Sequence, residues 1–378
     1  MSREERAIII GAGPAGLAAG IALRKAGLDT VVYESATDLR KEGTGLTLWP
    51  NGLAALATFG AGDEVRARAL AAPGMSIRSG TGRVLNEMSG PVMDRIGGRG
   101  VAMHRAELLD ALAGIFGRGA LRFGARCVGV RPERDRAIVT FDDGVEISAD
   151  VVVGADGIRS RVRSACGLDA PLTYSGFAVW RATIPFTLPP CPGSLSLGGP
   201  SQFGIWRLPG DRIYWFASTP SVEKTQVRGV SRPPDSFSEW HDPIAELLAA
   251  TSTEQIMVTD IYDSVPLRAW SRGRVVLVGD AAHPSMPNMG QGTSQAFEDA
   301  AVLAECLSTG LDVESALRVY ESRRRRRARA AWSQARMLAR VGAWHSPLAC
   351  WLREKMIIAA SERGQQRQME RLFTFTTA

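Results

Sequence analysis

Two kinds of apolar spacing divide the chain. Near-continuous apolar runs at Ala7-Ile-Ile-Ile10, Thr30-Val-Val-Tyr33, Val151-Val-Val153 and Val275-Val-Leu-Val278 lack the alternation of a half-exposed strand. They predict strands covered on both faces. Helical spacing follows Pro14, recurs over Met103–Leu112 and Leu53–Phe59, and opens again at Gly292. Between these segments the pattern changes to short strands with turn signals: Met75–Arg78, Val84–Met88, then Leu121–Val130, Ala137–Phe141 and Val145–Ile147 around an Asp142-Asp143-Gly144 hairpin turn. Residues 171–267 are rich in aromatics and prolines, with a hairpin expected from Gln202–Leu208 through Pro209-Gly210-Asp211 to Arg212–Ser218. The buried-strand pattern is left and re-entered twice. The expected fold is therefore α/β: a doubly wound, Rossmann-like domain in three pieces (1–72, 101–170, 268–330), interleaved with a smaller β-sheet domain (73–100, 171–267) and followed by a C-terminal helical segment (331–378).

The turns at the ends of the buried runs carry the chemistry. Gly11-Ala-Gly13-Pro-Ala15-Gly16 follows the opening run, and Glu34 lies 23 residues after Gly11. Glycines let backbone approach a pyrophosphate, the helix after Pro14 aims its positive end at it, and an acid at that distance suits a ribose hydroxyl. Strand, turn, helix, strand and acid arrive in the order of a dinucleotide cradle. Arg3, Arg6 and the uncharged stretch Ala7–Leu23 would also suit a secretory signal, but four glycines and a proline interrupt the stretch and no cleavage site follows. A second run ends in Gly154-Ala155-Asp156-Gly157, and a third in Gly279-Asp280, continuing through Pro287 to Gly290-Gln291-Gly292-Thr293-Ser294 at the start of a long helix.

Composition narrows the class. The 378 residues are 45% hydrophobic and 22% charged, and no later run offers a membrane-length apolar segment. Five scattered cysteines without a C-x-x-C pair point to a reducing cytoplasm. The net charge of +6 brings no nucleic-acid module with it. Its densest part, Arg323 to Arg327 with Arg329, reads as a solvated helix face, and a basic surface helps to attract anionic cofactors such as NADPH. Four dispersed histidines give no metal-site spacing.

The four motifs in their order resemble the class A, single-component FAD-dependent monooxygenases, the group of para-hydroxybenzoate, salicylate and urate hydroxylases and zeaxanthin epoxidase, over roughly residues 5–330. The resemblance implies that the doubly wound part binds FAD and that the smaller sheet holds the substrate. It implies that Gly11, Gly13, Ala15 and Gly16 hold the pyrophosphate, Glu34 the adenosine ribose, Arg40 and Arg105 the flavin side of the chain, and the backbone near Val128 the adenine. Asp156 and Gly157 belong to a motif linked to both FAD and NAD(P)H; Asp280 would bind the ribityl chain, Gly290, Gln291, Gly292, Thr293 and Ser294 the flavin ring, and Pro287 would sit at its reactive face. The implied reaction uses NADPH or NADH and O2 to hydroxylate or epoxidise a small aromatic or electron-rich molecule through a flavin C4a-hydroperoxide. Ser294 departs from the Asn of many members. No acid–base pair is recognisable; Arg181, Gln202 and Tyr214 are the candidates for substrate contact, and His283 is read as structural rather than as a general base. A FAD-dependent reductase of a prenyl-type substrate and a non-catalytic FAD-binding redox module stay as alternatives, and the tryptophan-bearing C-terminal helices serve either as a cap on the substrate domain or as a homodimer contact.

Overall fold

A computed structural model of the chain describes residues 6–39, 43–72, 74–95, 97–225, 229–360 and 362–375. The four buried runs form the centre of a six-stranded sheet in the spatial order Ser271–Arg272, Val275–Leu277, Val151–Gly154, Arg6–Ile10, Asp29–Tyr33, Leu121–Arg122. All pairings are parallel except that of the short first strand. Ile8 stands in register with Val152 on one side and Val31 on the other. The central strands are closed to solvent because the helices Pro14–Lys25, Arg105–Phe116 and Gly292–Leu307 share their core, with Leu17, Leu112 and Phe297 wholly buried.

The run expected as one strand over Leu121–Val130 is two. Gly124, at φ +70, breaks it, and Cys127–Pro132 turns away to pair with Ala137–Phe141 and then Glu146–Ala149 in a separate antiparallel sheet. The helix expected from Leu53 begins at Pro50, where a proline fits the first turn.

A seven-stranded sheet takes its strands from two distant parts of the chain, Gly74–Ser79 and Val84–Ser89, then Leu172–Pro185, Gly193–Gly198, Ser201–Leu208, Arg212–Pro220 and Met257–Ser264. Alternation decides its faces. Trp180, Ala182, Phe203, Ile205 and Trp215 point to one side and pack with Phe237 and the helix Ile244–Ala250. The other side carries Arg181, Thr183, Gln202, Trp206, Tyr214 and Phe216, by register with Met257, Ser218 and one another. On this second side docks a separate three-stranded antiparallel sheet of Gly45–Leu48, Val101–His104 and Leu70–Ala71, Gly45 N donating to Thr183 Oγ1 at 3.1 Å. The helix Val313–Gly342 runs unbroken across the boundary expected between residues 330 and 331.

Candidate active site

At the opening turn, Gly11 has φ +107, and a Cβ there would lie 2.6 Å from the Ala155 carbonyl oxygen; one on Gly16 would lie 1.9 Å from the Gly11 oxygen. These two glycines let strand, turn and helix close on one another. Gly13 differs, because a Cβ on it would meet nothing within 4 Å. Gly13 caps the helix Pro14–Lys25 without a side-chain bond, and no acid occupies its first turn. The positive helix end thus faces open space, the fit that a pyrophosphate requires. Glu34 folds back on the same turn, accepting from Ala12 N at 2.8 Å and Ala36 N at 2.9 Å. Its carboxylate keeps acceptor capacity for a hydroxyl. Val128 falls at the register shift between the pairs Cys127–Phe141 and Gly129–Thr140, so it has no partner across the ladder. A bulged residue of this kind presents its backbone outward.

The other end of the cleft is built from the third motif. Asp280 is crowded by protein on all but one side and open to solvent along the cleft. Burial raises its carboxyl above the usual carboxylate range, and the positive charges of His283 and Arg105 only partly oppose this. Gly292 lies beside it, its ideal Cβ 3.8 Å from Asp280 Oδ1, and opens the helix Gly292–Leu307 with no capping side chain and no acid in the first turn. Gly290, left-handed at φ +59, fits between Thr47 and Trp49; the Trp49 indole donates to the Met289 carbonyl at 3.1 Å and holds the Pro287–Met289 turn.

Three expected contacts turn out to have committed side chains. Ser294 is fully buried and accepts from Trp49 N at 3.2 Å, away from the cleft. Gln291 exchanges hydrogen bonds with Asn51, which donates to it at 3.0 Å. Asp156 accepts from Ser160 Oγ at 2.5 Å and from Arg161 N at 2.6 Å, so its carboxylate caps the helix Arg161–Ala165. At Gln291 and Ser294 this leaves the backbone for a ligand, while the Asp156 carboxylate, like that of Glu34, keeps acceptor capacity. Arg40 lies outside the described residues.

The candidates for substrate contact share one sheet face but not one spot. Arg181 pairs with Phe216 in the middle of the face, half-buried, with Nη1 3.4 Å from Thr259 Oγ1. Tyr214 lies under Gly45, where a Cβ would touch its ring at 2.4 Å; burial raises its phenol, against the charge of Arg181. Gln202 sits at the opposite end of the hairpin, close to Gly342 of the long helix. The middle is aromatic: Trp206 stacks on Phe216 at 5.6 Å and 16°, both rings lying over Gly204. Among the described residues no cluster suits a metal ion.

Residues 4–335 match the family described as FAD binding domain. The chain belongs to this family. Over 98% of both chains it is 36% identical to the aurachin C monooxygenase/isomerase of Stigmatella aurantiaca. It is 32% identical to the 2-heptyl-3-hydroxy-4(1H)-quinolone synthase of Pseudomonas aeruginosa over 97% of both. The structure of Klebsiella pneumoniae HpxO complexed with FAD and uric acid superposes with a TM-score of 0.88 at 28% identity, covering 98% of this chain and 96% of that one. This FAD-dependent monooxygenase uses a reduced nicotinamide and O2 and acts on a small molecule; the reductase and the non-catalytic module are not favoured. No helix among the described residues is long and apolar enough to cross a membrane.

What sequence reasoning missed in this FAD-dependent monooxygenase is the charge network behind the cleft. The arginine run is a solvated face only in part, at Arg326 and Arg329. Arg324 is buried; it donates to Asp299 Oδ1 at 2.7 Å and pairs with Glu298, while Arg327 reaches Glu298 at 2.6 Å. Arg323 and Arg325 are taken by Glu305 and Glu321. Asp299 also accepts from Gly279 N at 2.9 Å and bonds His283 Nε2 at 2.5 Å, so it holds the loop that presents Asp280. Burial alone would raise the Asp299 carboxyl; the charges of His283 and Arg324 and their hydrogen bonds outweigh it and hold it down at about 2. His283, with its ring 5.0 Å from Trp270, packs within this network. The signal was present in the sequence: two adjacent acids in a buried helix demand cations, and the arginine run is the nearest supply.

Proposed function

We propose that this monooxygenase oxygenates a nitrogen heteroaromatic ring of the 4-quinolone type. The observation that carries the reading is the sheet face itself: a stacked Trp206–Phe216 surface with one guanidinium, Arg181, at its centre. Such a face binds a flat ring by stacking and its carbonyl by a charge-assisted hydrogen bond. Relatives named for a quinolone product and a structural neighbour holding uric acid support this class.

We assign the FAD pyrophosphate to the helix start at Gly13–Gly16, the adenosine ribose to Glu34, adenine to the Val128 backbone, the ribityl hydroxyls to Asp280, and the flavin-ring edge to the backbone at Gly290–Thr293. When bound, FAD takes a hydride from the reduced nicotinamide and activates O2 for insertion of one oxygen atom. The protein's part is positional. The helix start at Gly292 favours negative charge beside it, Trp49 holds the Pro287–Met289 turn that leads into it, and the aromatic face excludes water from the reacting ring. No side chain is assigned as acid or base. Five free thiols, Cys127 and Cys166 pushed by burial to about 12 and about 11, support a reducing cytoplasm.

The test is NAD(P)H oxidation in air by the FAD-loaded protein with 4-quinolones, hydroxypyridines, purines and phenols, with products analysed for one added oxygen. A nitrogen heterocycle is expected to accelerate oxidation and to gain the oxygen. Acceleration by phenols alone would refute the substrate class.

A further inference from the structure

The helix Pro347–Ala359 has its polar side inward and its apolar side outward. Arg353 is 3% exposed and donates to the carbonyls of Gly199, Val341 and Gly342, which fastens the helix to the end of Val313–Gly342. Glu354 pairs with Arg83. Outward stand Leu348, Trp351, Leu352 and Met356, exposed by 74, 56, 46 and 54%, with Ile358 at the rim. Positions separated by three, four and eight residues fall on one helical face. Lys355 is the one charge among them, 5.6 Å over the Trp351 ring. Large apolar side chains in this arrangement gain nothing from water and mark a docking surface.

We propose that this face seats the enzyme reversibly on an anionic lipid surface, with the helix lying in the plane of the interface. Three observations select that occupant over a second copy of the chain. The first is area: thirteen residues make a helix about 20 Å long, and a face of that length and about 10 Å width offers about 200 Å2, against about 800 Å2 per partner in a stable dimer. The second is charge. Beside the arginines already paired with acids, Arg326, Arg329 and Arg340 are exposed and Lys355 stands on the face itself. A two-fold contact would bring like charges together, whereas an anionic headgroup layer is complementary to them. The third is composition, because Trp with Leu, Ile and Met above a lysine is the make-up of an interfacial helix. At thirteen residues it is too short to span a bilayer, which takes about 20. The inference rests on this helix and does not depend on the substrate class proposed above.

The experiment floats the full-length, FAD-loaded protein with vesicles of phosphatidylcholine and phosphatidylglycerol in equal parts, and with vesicles of phosphatidylcholine alone. Co-flotation with the anionic vesicles is expected, falling as salt is added. W351Q combined with L352Q is expected to lower the bound fraction about tenfold with FAD content and melting temperature unchanged, since both residues are exposed. Lys355→Glu should weaken binding to the anionic vesicles as well. Failure to float overturns the proposal, and so does equal flotation on phosphatidylcholine alone. Sedimentation as a dimer that W351Q with L352Q dissociates would assign the face to a second copy and overturn it too.

Discussion

Arg324 reaches across from the helix Val313–Gly342 and donates to Asp299 Oδ1 at 2.7 Å, with both side chains shut off from solvent. The same guanidinium pairs with Glu298, which Arg327 holds from its other side. Removing one partner of a buried pair leaves an uncompensated charge, at a cost of about 3–5 kcal/mol. Arg324→Met is therefore expected to lose on that order of unfolding free energy, measured by denaturant titration, and to loosen FAD, because Asp299 also holds the Gly279 amide. A variant as stable as the wild type would contradict the network's role.

Acid should act through the same carboxylate. The folded-state value of Asp299, about 2, lies below its ordinary 3.8, so its contribution is fully present above about pH 4 and is lost as pH falls toward 2. The shift corresponds to about 2 kcal/mol. Stability measured between pH 5 and pH 2 should fall with decreasing pH in the wild type, and less steeply in Asp299→Asn from a lower starting point. Equal slopes would remove Asp299 from the acid transition.

Asp280 has the opposite sign. The surrounding protein raises its carboxyl although the side chain is open to solvent along the cleft, so the ionised form costs the folded FAD-free protein a little at neutral pH. Asp280→Asn is expected to raise the melting temperature of the FAD-free protein while weakening FAD binding about tenfold or more, the effect of losing a charge-assisted hydrogen bond. Calorimetry on both forms reads the two changes separately. A lower melting temperature without FAD would count against that cost.

Gly13 and Gly16 separate cofactor fit from folding. Alanine at Gly16 would place its Cβ against the Gly11 carbonyl, whereas alanine at Gly13 would project into free space. Gly16→Ala should lose stability with or without FAD. Gly13→Ala should fold normally and bind FAD about tenfold more weakly or worse, the methyl obstructing the pyrophosphate. Tight FAD binding by Gly13→Ala would move the pyrophosphate elsewhere.

Arg181→Met tests the substrate face. A neutral side chain of similar length keeps the packing against Phe216 and Thr259 but removes the donors. KM for a carbonyl-bearing heteroaromatic is expected to rise about tenfold or more, with NAD(P)H oxidation in the absence of substrate unchanged. Steady-state kinetics with an unaltered KM would take Arg181 out of recognition.

Much of this molecule was legible before any coordinates. The buried strands announced themselves by unbroken apolar runs, and the hairpin from Ser201 to Pro220 by Pro209-Gly210-Asp211, where Gly210 and Asp211 both take positive φ. Less legible were the side chains of Gln291 and Ser294, since a glycine-rich helix start shows where backbone is free but not which way each later residue turns. Asn51 and Trp49, some 240 residues away in sequence, decide that.

Local chemistry was therefore determined by the sequence alone: turns that only glycine can make, strands that only a two-faced sheet can bury, and a fixed order of acid and glycine that spells a dinucleotide cleft. The tertiary structure alone decided everything that depends on which face meets which partner. Five consecutive arginines point in every direction around a helix, and only the packing of Glu298 and Asp299 against it turned Arg324 and Arg327 inward. The helix Pro347–Ala359 has charged and apolar residues in ordinary proportion, and only the anchoring of Arg353 beneath it left the apolar side facing out. Burying a charge or exposing a tryptophan costs free energy that no local pattern records, because the compensating partner is distant in the chain and near only in the fold.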